Sequence, residues 1–408
     1  MDPHECVCEL FSKIVTAVGR GQLPPPLFVH CRSVLTGMRG VSQAGVKRYQ
    51  LEKPATSLRY TQTLSVARIV LELTKHGKTM SQRDVYYSLK SIFKSQTESN
   101  QTILELGLML GLMRHEMGIY PAAKGLLAGL LRFRFHSEGQ AGATMSSSAS
   151  DKEGDVEDED KEGDVVDEED EEKEEEEEEE EEEPWVDCCA QGIACEGVKI
   201  SAKWTMAADD CLEMQVPTGT GRLPAPRYLI VVEKEGIFHR LCEDKVFLAA
   251  VPSILVSGCG YPDVPTRACV ARIAERYPQL IVAGLCDYNS YGLSVLLTYR
   301  LPSRATRFEA EGFAVGQLRW LGLRRDTVEA LRAELEPSHF QAMTMADANH
   351  ARAMLRSPKM NELPEAFQEE LEGMIELGVK LELESIYSRG LGALSQWLEE
   401  SLANDEFI

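Results

Sequence analysis

Glu233 and Asp287 are the two residues whose type and position point most directly to chemistry. Glu233 ends the apolar run Tyr228-Leu-Ile-Val-Val-Glu233, and Asp287 ends a second run, Leu280-Ile-Val-Ala-Gly-Leu-Cys-Asp287, with a helical segment and another strand between them. Carboxylates at the ends of buried parallel strands make a divalent-metal site. Asn289 follows Asp287 by two positions and Gly292 closes the turn. Two carboxylates and an amide carbonyl are hard oxygen donors of the kind Mg²⁺ accepts while keeping waters for a phosphate substrate. The competing reading is that acids after strands cap the helices that follow. Two acids on adjacent strands, beside the glycine-rich Ser257-Gly258-Cys259-Gly260, bring the metal reading level with the capping one.

A second constellation is Arg83-Asp-Val-Tyr86-Tyr87. Arg83 and Tyr87 are four apart, so on a helix they share one face, one turn apart. A tyrosine hydroxyl, with a pKa of about 10, is a poor nucleophile unless a cation favours its phenolate. Arg83 is placed to do that, or to bind a phosphate under attack. Adjacent tyrosines on a helix are more often packing residues, and spacing alone does not choose between Tyr86 and Tyr87.

The elements that must position these residues follow from periodicity. From Ser57 to about Leu131 the pattern is helical, with Leu64, Val66, Ile69, Val70 and Leu73 on one face and Ser81 as N-cap of the helix carrying Val85, Tyr86 and Leu89. A third helix spans about Thr102 to Leu110, and a further helical run goes from Tyr120 to Leu130. Leu131, Phe133 and Phe135 then alternate with Arg132, Arg134 and His136, and Trp185-Val-Asp resumes a strand, which predicts a hairpin with residues 137–184 inserted at its tip. Helices followed by such a hairpin make a winged helix. From Arg227 onward, strands at Tyr228 to Val232, Ser253 to Ser257 and Leu280 to Leu285 alternate with helices beginning near Glu235, Val264 and Tyr291. That alternation predicts a parallel sheet whose strand C-termini share one edge, where ligands bind. Beyond Leu318 the pattern reads as helical, ending in an apolar stripe from Leu371 to Leu398. The fold class expected is mixed α/β: a weakly patterned arm over 1–56, a winged-helix domain over 57–215, and a Rossmann-like sheet with C-terminal helices over 225–408.

Residues 151–183 hold 25 acidic and 3 basic residues, a net of −22, which leaves −1 of the total −23 for the other 375 residues. The insert is therefore expected to be disordered and solvated, and the overall acidity is no argument against a nucleic-acid partner. Eleven cysteines, several inside apolar runs, suit free thiols in a reducing compartment. Cys188-Cys189 with Cys195, or Cys6 with Cys8, lack the spacing of a zinc knuckle. The N-terminal residues show no signal-peptide pattern, and no apolar run of membrane-spanning length occurs, which predicts a soluble intracellular protein without membrane contact.

Several segments together identify a resemblance: Arg83-Asp-Val-Tyr-Tyr87, Ile92-Phe93-Lys-Ser-Gln96, Ala123-Lys124-Gly125-Leu126, Val231-Val-Glu-Lys-Glu-Gly236, Gly258-Cys-Gly-Tyr-Pro-Asp-Val-Pro-Thr-Arg267, Asp287-Tyr-Asn-Ser-Tyr-Gly-Leu293, Trp320-Leu-Gly-Leu323 and Lys380-Leu-Glu-Leu-Glu384. In this order, over residues 58 to 398, they resemble the sporulation-eleven family of meiotic double-strand-break proteins, homologous to the A subunit of topoisomerase VI. The resemblance implies a winged helix carrying the nucleophile and a Toprim domain holding Mg²⁺. It gives Tyr87 the nucleophilic role, makes Tyr86 a packing residue, assigns Glu233 and Asp287 to the metal and offers Glu235 as an outer helper. Three departures stand out: Asn289 where many members have a second Asp, Cys259 where many have Lys, and Ala122 where a small polar residue is common.

The resulting expectation is a nuclear, Mg²⁺-dependent DNA transesterase. Tyr87, aided by Arg83, joins the 5′ end in a phosphotyrosyl bond, and the break initiates meiotic recombination. Glu233, Asp287 and Asn289 are the expected metal ligands, and Lys124, Arg132, Arg134 and Tyr261 the candidate contacts to double-stranded DNA. Cutting two strands calls for a homodimer, and the absence of an ATP-binding motif calls for a separate topoisomerase VI B-like subunit. The alternatives are the A subunit of a relaxing type IIB topoisomerase and a DNA-binding scaffold of the same family with weakened catalysis.

Overall fold

Among the described residues two large hydrophobic cores form because two different periodicities run along the chain, and Leu27, Val29, Tyr49 and Tyr60 make a smaller third cluster. The computed structural model describes residues 2–30, 46–135, 184–190, 192–205, 211–248, 251–301 and 313–408. The acidic insert expected over residues 137–184 lies, but for its last position, outside them.

The first core is helical. Val66, Val70 and Leu73 of the helix Pro54–Lys75 meet Ile103 and Leu106 of the helix Gln96–Leu110, with Val85 between them. Ser81 caps the short helix Gln82–Ser88 by accepting the Asp84 N–H at 3.1 Å, as its position predicts. The helix Gln96–Leu110 starts six residues earlier than the pattern suggests, because Ser95 caps it through the Glu98 N–H. A two-residue parallel pairing, Met80–Ser81 with Ile119–Tyr120, ties the ends of this unit together. The weakly patterned N-terminus contributes a helix, Pro3–Gly19, whose Cys6 and Val7 enter the same core, and a hairpin of Leu27–His30 with Val46–Tyr49. Glu105, nearly fully buried, is held by Lys47 and Tyr49 of that hairpin at 2.8 and 2.9 Å.

The second core surrounds a six-stranded sheet in the order Arg319–Gly322, Ile281–Leu285, Tyr228–Val232, Ser253–Ser257, Leu126–Gly129, Val198–Lys199. The first four are parallel, Leu126–Gly129 runs antiparallel to Ser253–Ser257, and Val198–Lys199 runs antiparallel to Leu126–Gly129. Two of the predicted strands stand as read, because strands covered on both faces appear as unbroken apolar runs, and the third begins one residue later, at Ile281. The chain leaves Tyr228–Val232 toward Ser253–Ser257 on one side and returns to Ile281–Leu285 on the other. The C-terminal ends of Tyr228–Val232 and Ile281–Leu285 therefore flank the topological switch point, where a crevice opens between diverging connections.

Two expectations differ from the structure. The run from Tyr120 to Leu130 reads as helix, yet Leu126–Gly129 is a strand paired antiparallel with Ser253–Ser257. Leu126, Leu127 and Ala128 are all buried, and Gly129 approaches Ser253 so closely, at φ +100°, that only a residue without Cβ fits. The hairpin Arg132–Phe135 with Val186–Asp187 forms as expected, and Leu131, Phe133 and Cys188 pack into the core of the sheet. Beyond Leu318 the chain is not wholly helical. Arg319–Gly322 is a fourth parallel strand, with Trp320 buried, and the stripe from Leu371 splits at Gly378 (φ +63°) into the helices Glu365–Leu377 and Ala393–Ala403, with Val379–Lys380 extended between them. No helix among the described residues is long and apolar enough to cross a membrane.

An alanine Cβ at Gly129 would lie 2.5 Å from the Ser253 carbonyl oxygen. Gly129→Ala is expected to lower the unfolding free energy by at least about 1–3 kcal/mol, measured by urea denaturation. Wild-type stability would mean that the strand Leu126–Gly129 is not held against the sheet.

Candidate active site

The switch-point edge brings Glu233 and Asp287 side by side. Val232 pairs with Leu285, and the Glu233 N–H donates to the Leu285 carbonyl at 2.9 Å, so the pairing runs one residue beyond the strand. The Asp287 N–H then lies 3.3 Å from Glu233 Oε2. Asp287 is only 3% exposed. Gly292 leaves room for the pair, since a Cβ there would sit 2.8 Å from Glu233 Oε2. Burial, then repulsion from Asp287, pushes the Glu233 carboxyl up to about 7. Burial also raises Asp287, against the opposing pull of Lys234. A buried and a half-buried carboxylate held this close fit a divalent cation, which would relieve both the repulsion and the lost hydration. Among the described residues, no group of three or more His, Cys, Asp or Glu side chains is arranged to hold a metal ion.

Three residues at this edge carry no role in the sequence reading. The Lys234 ammonium lies 2.8 Å from Asp287 Oδ2, 2.8 Å from Glu384 Oε2 and 3.6 Å from Glu382 Oε2. Burial acts to lower the Lys234 pKa, but the hydrogen bonds to Asp287 and Glu384 outweigh it and raise it. Leu383, between the two glutamates, donates its N–H to Asp287 Oδ1 at 2.9 Å. Lys234 is adjacent to a recognisable acid, and the glutamates lie in Lys380-Leu-Glu-Leu-Glu384. Neither signal alone indicates that they converge.

Asn289 is the N-cap of the helix Ser290–Arg300, its Oδ1 accepting the Gly292 N–H at 2.8 Å. Capping is the competing reading for the acids after strands and is observed instead at Asn289. Glu235 is exposed at the start of its helix and faces His239 at 3.6 Å.

Of the proposed DNA contacts, Lys124 and Tyr261 come together. Lys124 Nζ donates to the Tyr261 carbonyl at 3.1 Å, Cys259 Sγ donates to the Lys124 carbonyl, and the half-exposed Tyr261 bonds Ser294 through its hydroxyl. Cys259 itself adopts the left-handed conformation (φ +49°) in the loop after Ser253–Ser257. Arg132 and Arg134 sit elsewhere, their guanidinium carbons 4.6 and 4.9 Å from the centroid of the Trp185 ring. Arg132 also donates to Gln215, and Arg134 pairs with Glu213 at 2.7 Å.

The two tyrosines separate by burial. Tyr86 packs against the helical core, whereas Tyr87 is 52% exposed. Arg83 and Lys90 lie over the Tyr87 ring, 5.6 and 6.0 Å from its centroid. The observed Arg83 contact is with the ring face.

Replacing Asn289 tests the cap. In chelator-containing buffer Asn289→Ala is expected to cost about 1 kcal/mol of stability and Asn289→Asp almost nothing, read by thermal unfolding. Equal stability for Asn289→Ala and wild type would mean that the cap contributes nothing.

Residues 228–402 match the family model for the Toprim domain of Spo11 and the topoisomerase 6 A subunit, and residues 58–119 match the one described as Type IIB DNA topoisomerase. The meiotic recombination protein SPO11-2 of Arabidopsis thaliana is 26% identical over 363 residues, which span 88% of this chain and 77% of that protein. SPO11-2 of Oryza sativa subsp. indica is 25% identical over 376 residues, 90% of this chain and 79% of that protein. The meiotic recombination protein SPO11 of Mus musculus is 22% identical over 350 residues, 86% of this chain and 72% of that protein. With both regions matched in order and relatives aligned over most of its length, the chain belongs to the family of Spo11 and the topoisomerase 6 A subunit.

Proposed function

We propose that this protein makes double-strand breaks in DNA by transesterification and thereby initiates meiotic recombination in the nucleus. Tyr87 Oη attacks a backbone phosphorus. The bond from phosphorus to O3′ breaks, its electron pair stays on O3′, and a proton from solvent completes the 3′-hydroxyl as the tyrosine gives up its own. The protein remains on the 5′ end through a phosphotyrosyl bond. The observation that carries this reading is the contrast between the adjacent tyrosines: Tyr87 is exposed beneath two cations, and Tyr86 is packed. Arg83 and Lys90 would attract the phosphate toward the ring.

Glu233 and Asp287 would hold Mg²⁺, with the second lone pair of the Asn289 oxygen available once Gly292 is capped. Bound there, the ion supplies electrostatic stabilisation of charge on the phosphate and leaving oxygen. Lys124 and Tyr261, beside the glycine-rich loop, are suited to contact the DNA backbone. Arg132 and Arg134, engaged with Trp185, Gln215 and Glu213, are less free to do so. Tyr87 belongs to the helical unit and the acids to the edge of the sheet. A homodimer in which one protomer's tyrosine meets its partner's acids fits that separation and the twofold symmetry of duplex DNA. A B-like ATPase subunit is a further proposed partner.

Tyr87→Phe is expected to abolish covalent DNA attachment while DNA binding stays within about twofold, since one exposed hydroxyl is removed. Tyr86→Phe is expected to retain attachment. Trapping the protein on DNA in denaturant reads both, and the reverse pattern would exchange the two roles.

Metal affinity should follow the protonation of Glu233. Its carboxyl is raised to about 7, so protons compete with the ion below that pH. Mg²⁺ affinity measured by calorimetry is expected to rise by up to about tenfold per pH unit below about 7 and to level off above it. In the metal-free protein the sign is opposite: the raised pKa adds stability as pH falls from about 7 toward 4.5. Metal affinity flat between pH 5 and 8 would remove Glu233 from the ligand set.

A further inference from the structure

The cleavage proposed above makes no use of the Lys234 ammonium, although it stands on the oxygen a metal needs. Asp287 Oδ1 accepts the Leu383 N–H at 2.9 Å, and Oδ2 faces Lys234 at 2.8 Å, so both carboxylate oxygens already have donors from the protein. A divalent cation arriving at Glu233 and Asp287 must compete for Oδ2. Lys234 has a second home within reach, Glu384 Oε2 at 2.8 Å and Glu382 Oε2 at 3.6 Å. Both glutamates belong to a segment fixed against the same edge, where the Tyr288 N–H donates to the Leu381 carbonyl at 2.9 Å and the Leu381 N–H returns a bond at 3.3 Å. The ammonium can therefore leave Asp287 without being stranded unpaired in a half-buried site, which would be costly.

We propose that Lys234 is an intramolecular competitor of the metal ion. It neutralises Asp287 while the site is empty of metal, and it passes wholly to Glu384 and Glu382 when a divalent cation takes Oδ2. This inference rests on the reading of Glu233 and Asp287 as metal acids. It makes the C-terminal segment part of the metal equilibrium: the better Glu382 and Glu384 hold Lys234, the lower the cost of metal entry. Lys234 is thus a positioning residue that sets affinity through Asp287.

Calorimetric titration of the full chain with MgCl₂ tests the proposal, with unfolding in chelator as the check on folding. Lys234→Met is expected to bind Mg²⁺ roughly tenfold tighter than wild type, because a positive charge is removed beside the ion. Lys234→Arg, which keeps the charge, should stay near wild type. Glu384→Gln should weaken binding, and most of that loss should vanish in the Lys234→Met background. Unchanged or weaker binding by Lys234→Met overturns the proposal. So does a Glu384→Gln loss that persists undiminished without Lys234, since Glu384 would then act on the ion directly. If Lys234→Met does not fold, Lys234→Gln, which also removes the charge, takes its place in both comparisons with the same outcomes, and unchanged affinity of Glu382→Gln/Glu384→Gln overturns the proposal. Failure of the underlying metal reading looks different, because wild type and Asp287→Asn would then bind Mg²⁺ equally poorly.

Discussion

The site depends on two carboxylates held against each other at the ends of neighbouring parallel strands. Backbone hydrogen bonds fix the register of Val232 with Leu285, and that register forces Glu233 and Asp287 together despite their repulsion. Bringing like charges into a buried edge costs free energy that the rest of the fold must offset. Lys234, the Leu383 N–H and the space left by Gly292 are the local answers. The arrangement persists because the strands beneath it are almost wholly buried and cannot slide without exposing apolar side chains.

The sheet reaches beyond the parallel strands to secure this edge. Leu126–Gly129 comes from just after the helical unit and pairs antiparallel with Ser253–Ser257, so the segment after Lys124 is tied to the strand leading into the glycine-rich loop. That pairing sets Lys124 against Tyr261 and Cys259. On the other side, Arg319–Gly322 supports the Asp287 strand, and Ile408 exchanges backbone hydrogen bonds with Trp320. The C-terminal segment closes the edge through Leu381, Leu383 and Glu384. Elements distant in sequence thus meet at one strand end, and the helical unit keeps Tyr87 on a separate core.

What could be read from the residues alone tracks how local each signal is. The strands Tyr228–Val232 and Ser253–Ser257 were legible because strands buried on both faces leave runs of Val, Ile and Leu bounded by turns. Ser81 was legible as a cap because capping is a three-residue relation. Leu126-Leu-Ala-Gly-Leu-Leu131 was not, since a short apolar run with a glycine fits a buried helix or a buried strand equally well, and its partner strand, Ser253–Ser257, is far away in the chain. Arg319–Gly322 failed for the same reason. At the site, Glu233 and Asp287 stood out by following recognisable strands, whereas Glu382 and Glu384 had no local pattern that could reveal Lys234 between them and Asp287. Tyr86 and Tyr87 are equivalent in composition and spacing, and only the packing of the helical core distinguishes them.

The most direct test of the metal edge is an anomalous diffraction measurement on crystals of the full chain grown with Mn²⁺, collected at the manganese edge. The prediction is a peak between the Glu233 and Asp287 carboxylates, with the Lys234 ammonium moved off Asp287 Oδ2 and onto Glu384. A fully occupied ion elsewhere on the chain, with Lys234 still bonded to Asp287, would contradict it.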